Sequence, residues 1–85
     1  MTPADLYGLY AHHYDEGRAA EFAQLFTDDA PFVTNGVERA RGRAAIEEMA
    51  RTGRASLPGV RHLVSSVAVV VDGDTAAGTA YVQAV

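Results

Sequence analysis

Cysteine and lysine are both missing from this chain, and so is any long apolar run. The absence of cysteine excludes disulfides, thiolate metal sites and cysteine nucleophiles. Without lysine, all seven positive charges are arginines, set against eleven acids for a net charge of −4. These arginines are scattered and form no basic stripe, which argues against a nucleic-acid partner. The longest apolar run, Val67 to Val71, falls far short of the ~20 residues that cross a bilayer. The opening "MTPADLYGLY" has neither the basic start nor the apolar stretch of a signal peptide. A cytoplasmic protein with no membrane partner is the expectation. Also missing are a Gly-rich phosphate loop, a serine triad and a nucleotide fingerprint. No histidine pair has zinc-site spacing, and Asp72-Gly73-Asp74 lacks the rest of a calcium loop. No metal and no cofactor are expected.

What remains is an ordinary globular composition, 48% hydrophobic and 21% charged over 85 residues, enough for one small domain. Thr2-Pro3-Ala4-Asp5 reads as a helix start, with threonine able to cap and proline suited to the first turn. Leu6, Leu9, Tyr10, His13 and Tyr14 follow at the spacing of one amphipathic helix face, and Gly17 ends it. Ala19, Phe22, Ala23 and Phe26 mark a second helix, which Pro31 cannot continue. Asn35-Gly36 is the dipeptide a type I′ hairpin turn prefers. A third helix, "RAAIEEMAR", points Ala45, Ile46, Met49 and Ala50 inward, with Gly53 and "LPG" in the loop beyond it. Val60 to Val71 and Thr75 to Val85 then flank Asp72-Gly73 as a long hairpin. Helices segregated from antiparallel strands indicate an α+β fold. The chain stops on an apolar strand, "AYVQAV", which predicts either a covering partner or further strands.

His62 opens the first long strand. If Asp72-Gly73 is the turn, Val71 pairs with Asp74, His62 lies opposite Gln83, and Val64 lies opposite Tyr81. His62, Gln83 and Tyr81 would then share one face. A wall of Val and Ala with a few polar groups, closed over by helices, describes a small-molecule pocket. The alternative is a strand-end histidine bonded to a backbone carbonyl. For Asp15 the alternative is a solvated helix-terminal acid, and for Tyr14 a core aromatic. His12 lies off the apolar stripe and His13 on it.

The ordered set "YAHHYDEGRAAEFAQLFTDDA", "GRAAIEEM" and "VRHLVSSVAVVVDGDTAAGTAYV" resembles the SnoaL-like branch of the nuclear transport factor 2-like superfamily over nearly the whole chain. The resemblance implies a cone-shaped α+β half-barrel, with helices packed on a curved antiparallel sheet and a pocket between them. It also implies a single domain, 1–85, lacking its last one or two strands, and a homodimer formed through the sheet. Relatives include polyketide cyclases, scytalone dehydratases and ketosteroid isomerases. The dehydratase pattern matches at Tyr14-Asp15 and at His62. It is unmatched near Thr79 to Tyr81, where a second histidine would fall, and in "PFVTN", which offers no tyrosine.

The expected function is that of a cofactor-free isomerase or lyase acting on a small hydrophobic carbonyl ligand. Asp15 and His62 form its acid–base pair, and Tyr14 or Tyr10 donates to the developing enolate oxygen. Phe22, Phe26, Phe32, Met49, Val64 and Tyr81 are the expected walls, with Tyr10. The competing expectation is a non-catalytic ligand-binding or dimerisation module of the same fold.

Overall fold

Two helices, a short β-hairpin, a third helix and a long β-hairpin follow one another along the chain in the computed structural model, which describes all 85 residues. The elements are α1 (Asp5–Asp15), α2 (Ala19–Ala23), β1 (Pro31–Thr34), β2 (Val37–Arg41), α3 (Arg43–Ser56), β3 (His62–Asp72) and β4 (Thr75–Ala84). Both hairpins are antiparallel, β1 with β2 and β3 with β4, in separate two-stranded sheets. The architecture is α+β, in the order the sequence predicts. No helix is long and apolar enough to cross a membrane.

Local chemistry sets the element boundaries, with some differences from expectation. Thr2 does not cap α1 with its side chain; its backbone N–H donates to Asp5 Oδ2 at 2.7 Å instead. At the other end, Gly17 takes φ +76°. The Arg18 N–H donates to the His13 carbonyl and the Gly17 N–H to that of Tyr14. That pair of bonds is a Schellman stop, and it leaves Asp15 on the last turn of the helix. Asn35 and Gly36 both have positive φ, 51° and 78°, as a type I′ turn requires. Helix α3 does not end before Gly53 but runs through it to Ser56. A β-carbon at Gly53 would overlap the Tyr14 hydroxyl as it is seated here, so any larger residue requires that ring to shift.

The core is small and lies between the helices and the first hairpin. Phe22 and Ile46 are fully buried, with Ala19, Ala23, Ala40 and Ala50 around them and Met49, Phe26 and Phe32 half-buried at the margin. Of the four α3 residues expected inward, Ala45 is exposed. The buried stripe of α1 is turned by about one residue from the predicted one. Ala11 and Asp15 are buried, and Tyr7, Tyr10 and Tyr14 half-buried, while Leu6 is exposed.

The long hairpin departs from the predicted register. Asp72 pairs with Thr75, so the turn is Gly73-Asp74. Further along, Ser65 pairs with Tyr81 and Ala68 with Thr79. Ser66 and Val67 therefore both face Ala80, forming a bulge in which Ser66 takes φ +54°. A bulge exchanges the faces of a strand on either side of it. His62 consequently lies opposite Ala84 and Val64 opposite Val82. The predicted cluster of His62, Gln83 and Tyr81 does not form, because Gln83 and Tyr81 pair with Leu63 and Ser65 on the other face.

Candidate functional site

Asp15 is the only buried charged or polar residue, 5% exposed, and both of its oxygens are engaged. Oδ1 lies 2.6 Å from His62 Nδ1, and Oδ2 accepts the His62 backbone N–H at 2.7 Å. The two residues are 47 positions apart, brought together where the end of α1 meets the start of β3. An acid at a helix C-terminus opposes the helix dipole, so this position is not chosen for helix stability. On the far side, Arg54 Nε of α3 donates to the Asp15 backbone carbonyl at 2.7 Å. The cation caps the last turn of α1, the turn that carries the carboxylate.

Burial pushes the Asp15 carboxyl up, but it is outweighed. The two hydrogen bonds from His62, together with the charges of His62 and Arg61, hold Asp15 below its ordinary value of 3.8. An ionised carboxylate on Nδ1 places the ring proton there and leaves Nε2 as the lone-pair nitrogen in the neutral imidazole. Nε2 has no hydrogen-bond partner in the protein, and no buried side-chain nitrogen or oxygen is left unsatisfied. Nε2 is therefore reachable from outside the protein atoms. Two tyrosine rings meet the imidazole edge-on, Tyr14 at a centroid distance of 5.0 Å and Tyr10 at 6.2 Å.

His62 forms part of the wall of a cavity of about 680 Å³ between α1 and the long hairpin. Twelve of its sixteen lining residues are hydrophobic. Helix α1 contributes Leu6, Tyr7 and Tyr10, the segment after α2 contributes Leu25 and Phe26, and β3 contributes His62, Val64 and Val69. Strand β4 supplies a smooth floor of small residues, Ala76 to Ala80, then Val82 and Ala84. Tyr10 is pushed above the usual phenol value of 10.0 by burial and by the nearby Tyr14 and Asp15. It is a neutral phenol at physiological pH, able to donate into the cavity.

The structure thus brings Asp15, His62, Tyr10, Phe26 and Val64 together at the cavity. Other expected wall residues lie elsewhere. Phe22, Phe32 and Met49 belong to the core behind it. Tyr81 is 73% exposed on the opposite face of the hairpin, a consequence of the register. The ring of Tyr14 touches His62, but its hydroxyl is directed at Gly53 on α3 rather than at the large cavity. His12 is exposed, and His13 Nδ1 accepts from Arg18 Nε at 3.2 Å. Sequence reasoning missed Tyr7, although it stands three residues before Tyr10 and seven before Tyr14 on one helix stripe. It also missed Arg54, whose role depends on packing and leaves no local signal. No group of three or more His, Cys, Asp or Glu side chains is placed to hold a metal ion.

A family model described as a SnoaL-like domain matches residues 4–85. Among solved structures, a variant of Rv3472, a protein of unknown function from Mycobacterium tuberculosis, superposes with a TM-score of 0.85 at 30% identity over 94% of this chain. An NTF2-like protein with a cystatin-like fold from Novosphingobium aromaticivorans gives 0.83 at 30% identity, also over 94%. Those matches cover 49% and 54% of the two proteins, so the chain spans about half the length of the solved structures it resembles. No curated protein matches it.

Proposed function

The chain belongs to the SnoaL-like domain family, and from that premise we propose that it performs cofactor-free proton transfer on a hydrophobic carbonyl compound held in the cavity beside His62. One observation carries the reading: the 2.6 Å contact of His62 Nδ1 with a buried carboxylate, on the wall of an apolar cavity, with Nε2 free of protein partners. In the reaction, Nε2 removes a proton from the carbon next to the substrate carbonyl. The electron pair passes to the carbonyl oxygen, and the Tyr10 hydroxyl donates a hydrogen bond to that developing enolate. The imidazolium keeps its proton on Nδ1, donated to the Asp15 carboxylate, throughout, then returns the other proton from Nε2 to a different atom of the substrate. Return to another carbon is isomerisation, return to a leaving hydroxyl is dehydration, and attack of the enolate on a second carbonyl is cyclisation.

The test needs no knowledge of the natural substrate. Exchange of the methyl protons of para-acetylbiphenyl into deuterated water, followed by NMR, reports proton abstraction directly. The protein is expected to accelerate exchange, and His62→Gln to lower that rate by about 10²–10⁴-fold. Saturable binding of the ketone with no exchange above buffer would exclude the proton-transfer role for this probe and support the alternative, a non-catalytic ligand-binding module. That alternative draws on the cavity alone, which exists without the dyad. A homodimer is the expected assembly, through the exposed face of the long hairpin where Leu63, Val70 and Tyr81 lie. Sedimentation of the protein and its Tyr81→Asp variant tests it, with a shift to monomer in the variant as the supporting result.

A further inference from the structure

The end of the cavity remote from His62 holds a second polar group that the reaction does not use. Tyr7, one turn before Tyr10 on α1, lines the cavity opposite Gly78 of β4, which also lines it. The Tyr7 hydroxyl is seated so closely over Gly78 that a β-carbon there would overlap it, and would also come within 3.0 Å of the Ala68 carbonyl. Glycine at this position of β4 is a notch that admits the phenol. An interior strand glycine weakens a sheet and commonly marks a close approach of this kind. The hydroxyl has no hydrogen-bond partner in the protein, yet no buried side-chain oxygen is left unsatisfied, so a molecule in the cavity can reach it. Around it the lining is Leu6, Val69 and the alanines of β4, together with Thr79, which stands two residues before Tyr81 on a regular strand and so shares that residue's outer face.

The two polar points are well separated. Tyr7 and Asp15 are eight residues apart on one helix, which is about 12 Å of axial rise. Gly78 pairs with Val69, seven residues along β3 from His62. A ligand touching both ends must therefore be elongated, and the cavity volume lies in the range of ~300–1,000 Å³ that accepts such molecules.

We infer that Tyr7, seated in the Gly78 notch, is a specificity-determining residue that binds a hydrogen-bonding oxygen at the end of an elongated apolar ligand remote from its reacting carbonyl. This rests on the proton-transfer reading for the His62 end only. The Tyr7 hydroxyl donates to, or accepts from, that distal oxygen and so sets which way round the ligand enters. A ligand without a distal oxygen leaves the phenol unpaired in an apolar surround.

Titration with two probes tests it: para-acetylbiphenyl, and the same ketone with a hydroxyl at the other para position. The protein is expected to bind the hydroxylated probe about 3–10-fold more tightly, the effect of one net hydrogen bond. Tyr7→Phe keeps the ring and should erase that preference while leaving affinity for the plain ketone near its original value. Gly78→Ala displaces the hydroxyl without removing it and should erase the preference as well, which guards against a folding defect in either variant alone. His62→Gln should weaken both probes alike and keep the ratio. Equal binding of the two probes by the protein, or a preference that survives in Tyr7→Phe, would overturn the assignment of Tyr7 and leave the His62 reading standing. Failure of either probe to bind would overturn the assignment together with the cavity it rests on. Loss of proton exchange alone, with the preference intact, would count against the chemistry and not against Tyr7.

Discussion

The residues up to α3 and the long C-terminal hairpin are held together by different forces. All seven buried apolar side chains lie between Ala11 and Ala50, and none lies in β3 or β4. The first region is a miniature core in which Phe22 is ringed by Tyr10, Tyr14, Phe26 and Phe32. The hairpin instead exposes Val70 by 71% and Tyr81 by 73%, and keeps its shape through its own ladder of backbone bonds. Its tie to the rest of the molecule includes the polar clamp of Asp15 on the ring and N–H of His62. The candidate site is therefore also the seam between the two regions. The group proposed to move protons is the one that helps hold the hairpin over its cavity.

The sharpest way to break this contrast is to delete a side chain on each side of it. Phe22→Ala should cost about 3–5 kcal/mol, enough to unfold much of a small domain whose total stability is of the order of 5 kcal/mol. Tyr81→Ser should change stability by less than about 0.5 kcal/mol in the monomer, because it is a surface substitution. Urea denaturation of the two variants provides the comparison, and equal losses would show that the hairpin face is buried in solution.

Asp15→Ala comes next, at about 1.5–3 kcal/mol for the loss of hydrogen bonds to a charged acceptor. The loss should be uneven. Amide exchange should rise more in β3 and β4 than in α3, since the clamp holds the hairpin and not the core. Uniform exchange across the molecule would mean that the seam is not a separate unit.

Acid should act on the same seam. The Asp15 carboxyl is held below its ordinary 3.8 in the folded protein. Its contribution to stability is therefore complete above about pH 4, where the unfolded chain is also ionised. It is lost as the pH falls through the depressed folded value. Thermal melts taken downward from about pH 5 should show this acid limb, and Asp15→Asn should flatten it.

The last predicted effect has an unusual sign. Glycine to alanine inside a helix normally adds up to about 1 kcal/mol. At Gly53 it should subtract stability, because the new methyl meets the hydroxyl of Tyr14, whose ring is wedged between Phe22 and His62. A rise in melting temperature for Gly53→Ala would show that Tyr14 is free to swing away.

How much of this was readable from residues alone depends on distance along the chain. The type I′ turn at Asn35-Gly36, the helix stop at Gly17 and the order of helices and hairpins rest on neighbours a few positions apart, and they were legible. The β3–β4 register was not, because the turn at Gly73-Asp74 moves the pairing by two residues and the bulge at Ser66 and Val67 takes one of them back, which exchanges the faces beyond it. Tyr81, expected in the pocket, lies outside it for that reason. The face of α1 was misplaced by about one residue, enough to hide Tyr7 among the exposed positions. The pairing of Asp15 with His62 came from a family resemblance, not from periodicity. Nothing local announces that residues 47 apart will touch.

The sequence by itself determined the order of the secondary elements, the turn at Asn35-Gly36, the helix stop at Gly17 and the absence of cysteine chemistry, since all of these follow from composition and from steric preferences over a single turn or strand pair. Only the tertiary structure decided which nitrogen of His62 faces the carboxylate, which tyrosine hydroxyl faces the cavity, and which glycine yields to it. Those outcomes depend on how α1 lies across β3 and β4, and that placement is set by the sum of many weak contacts rather than by any short stretch of chain.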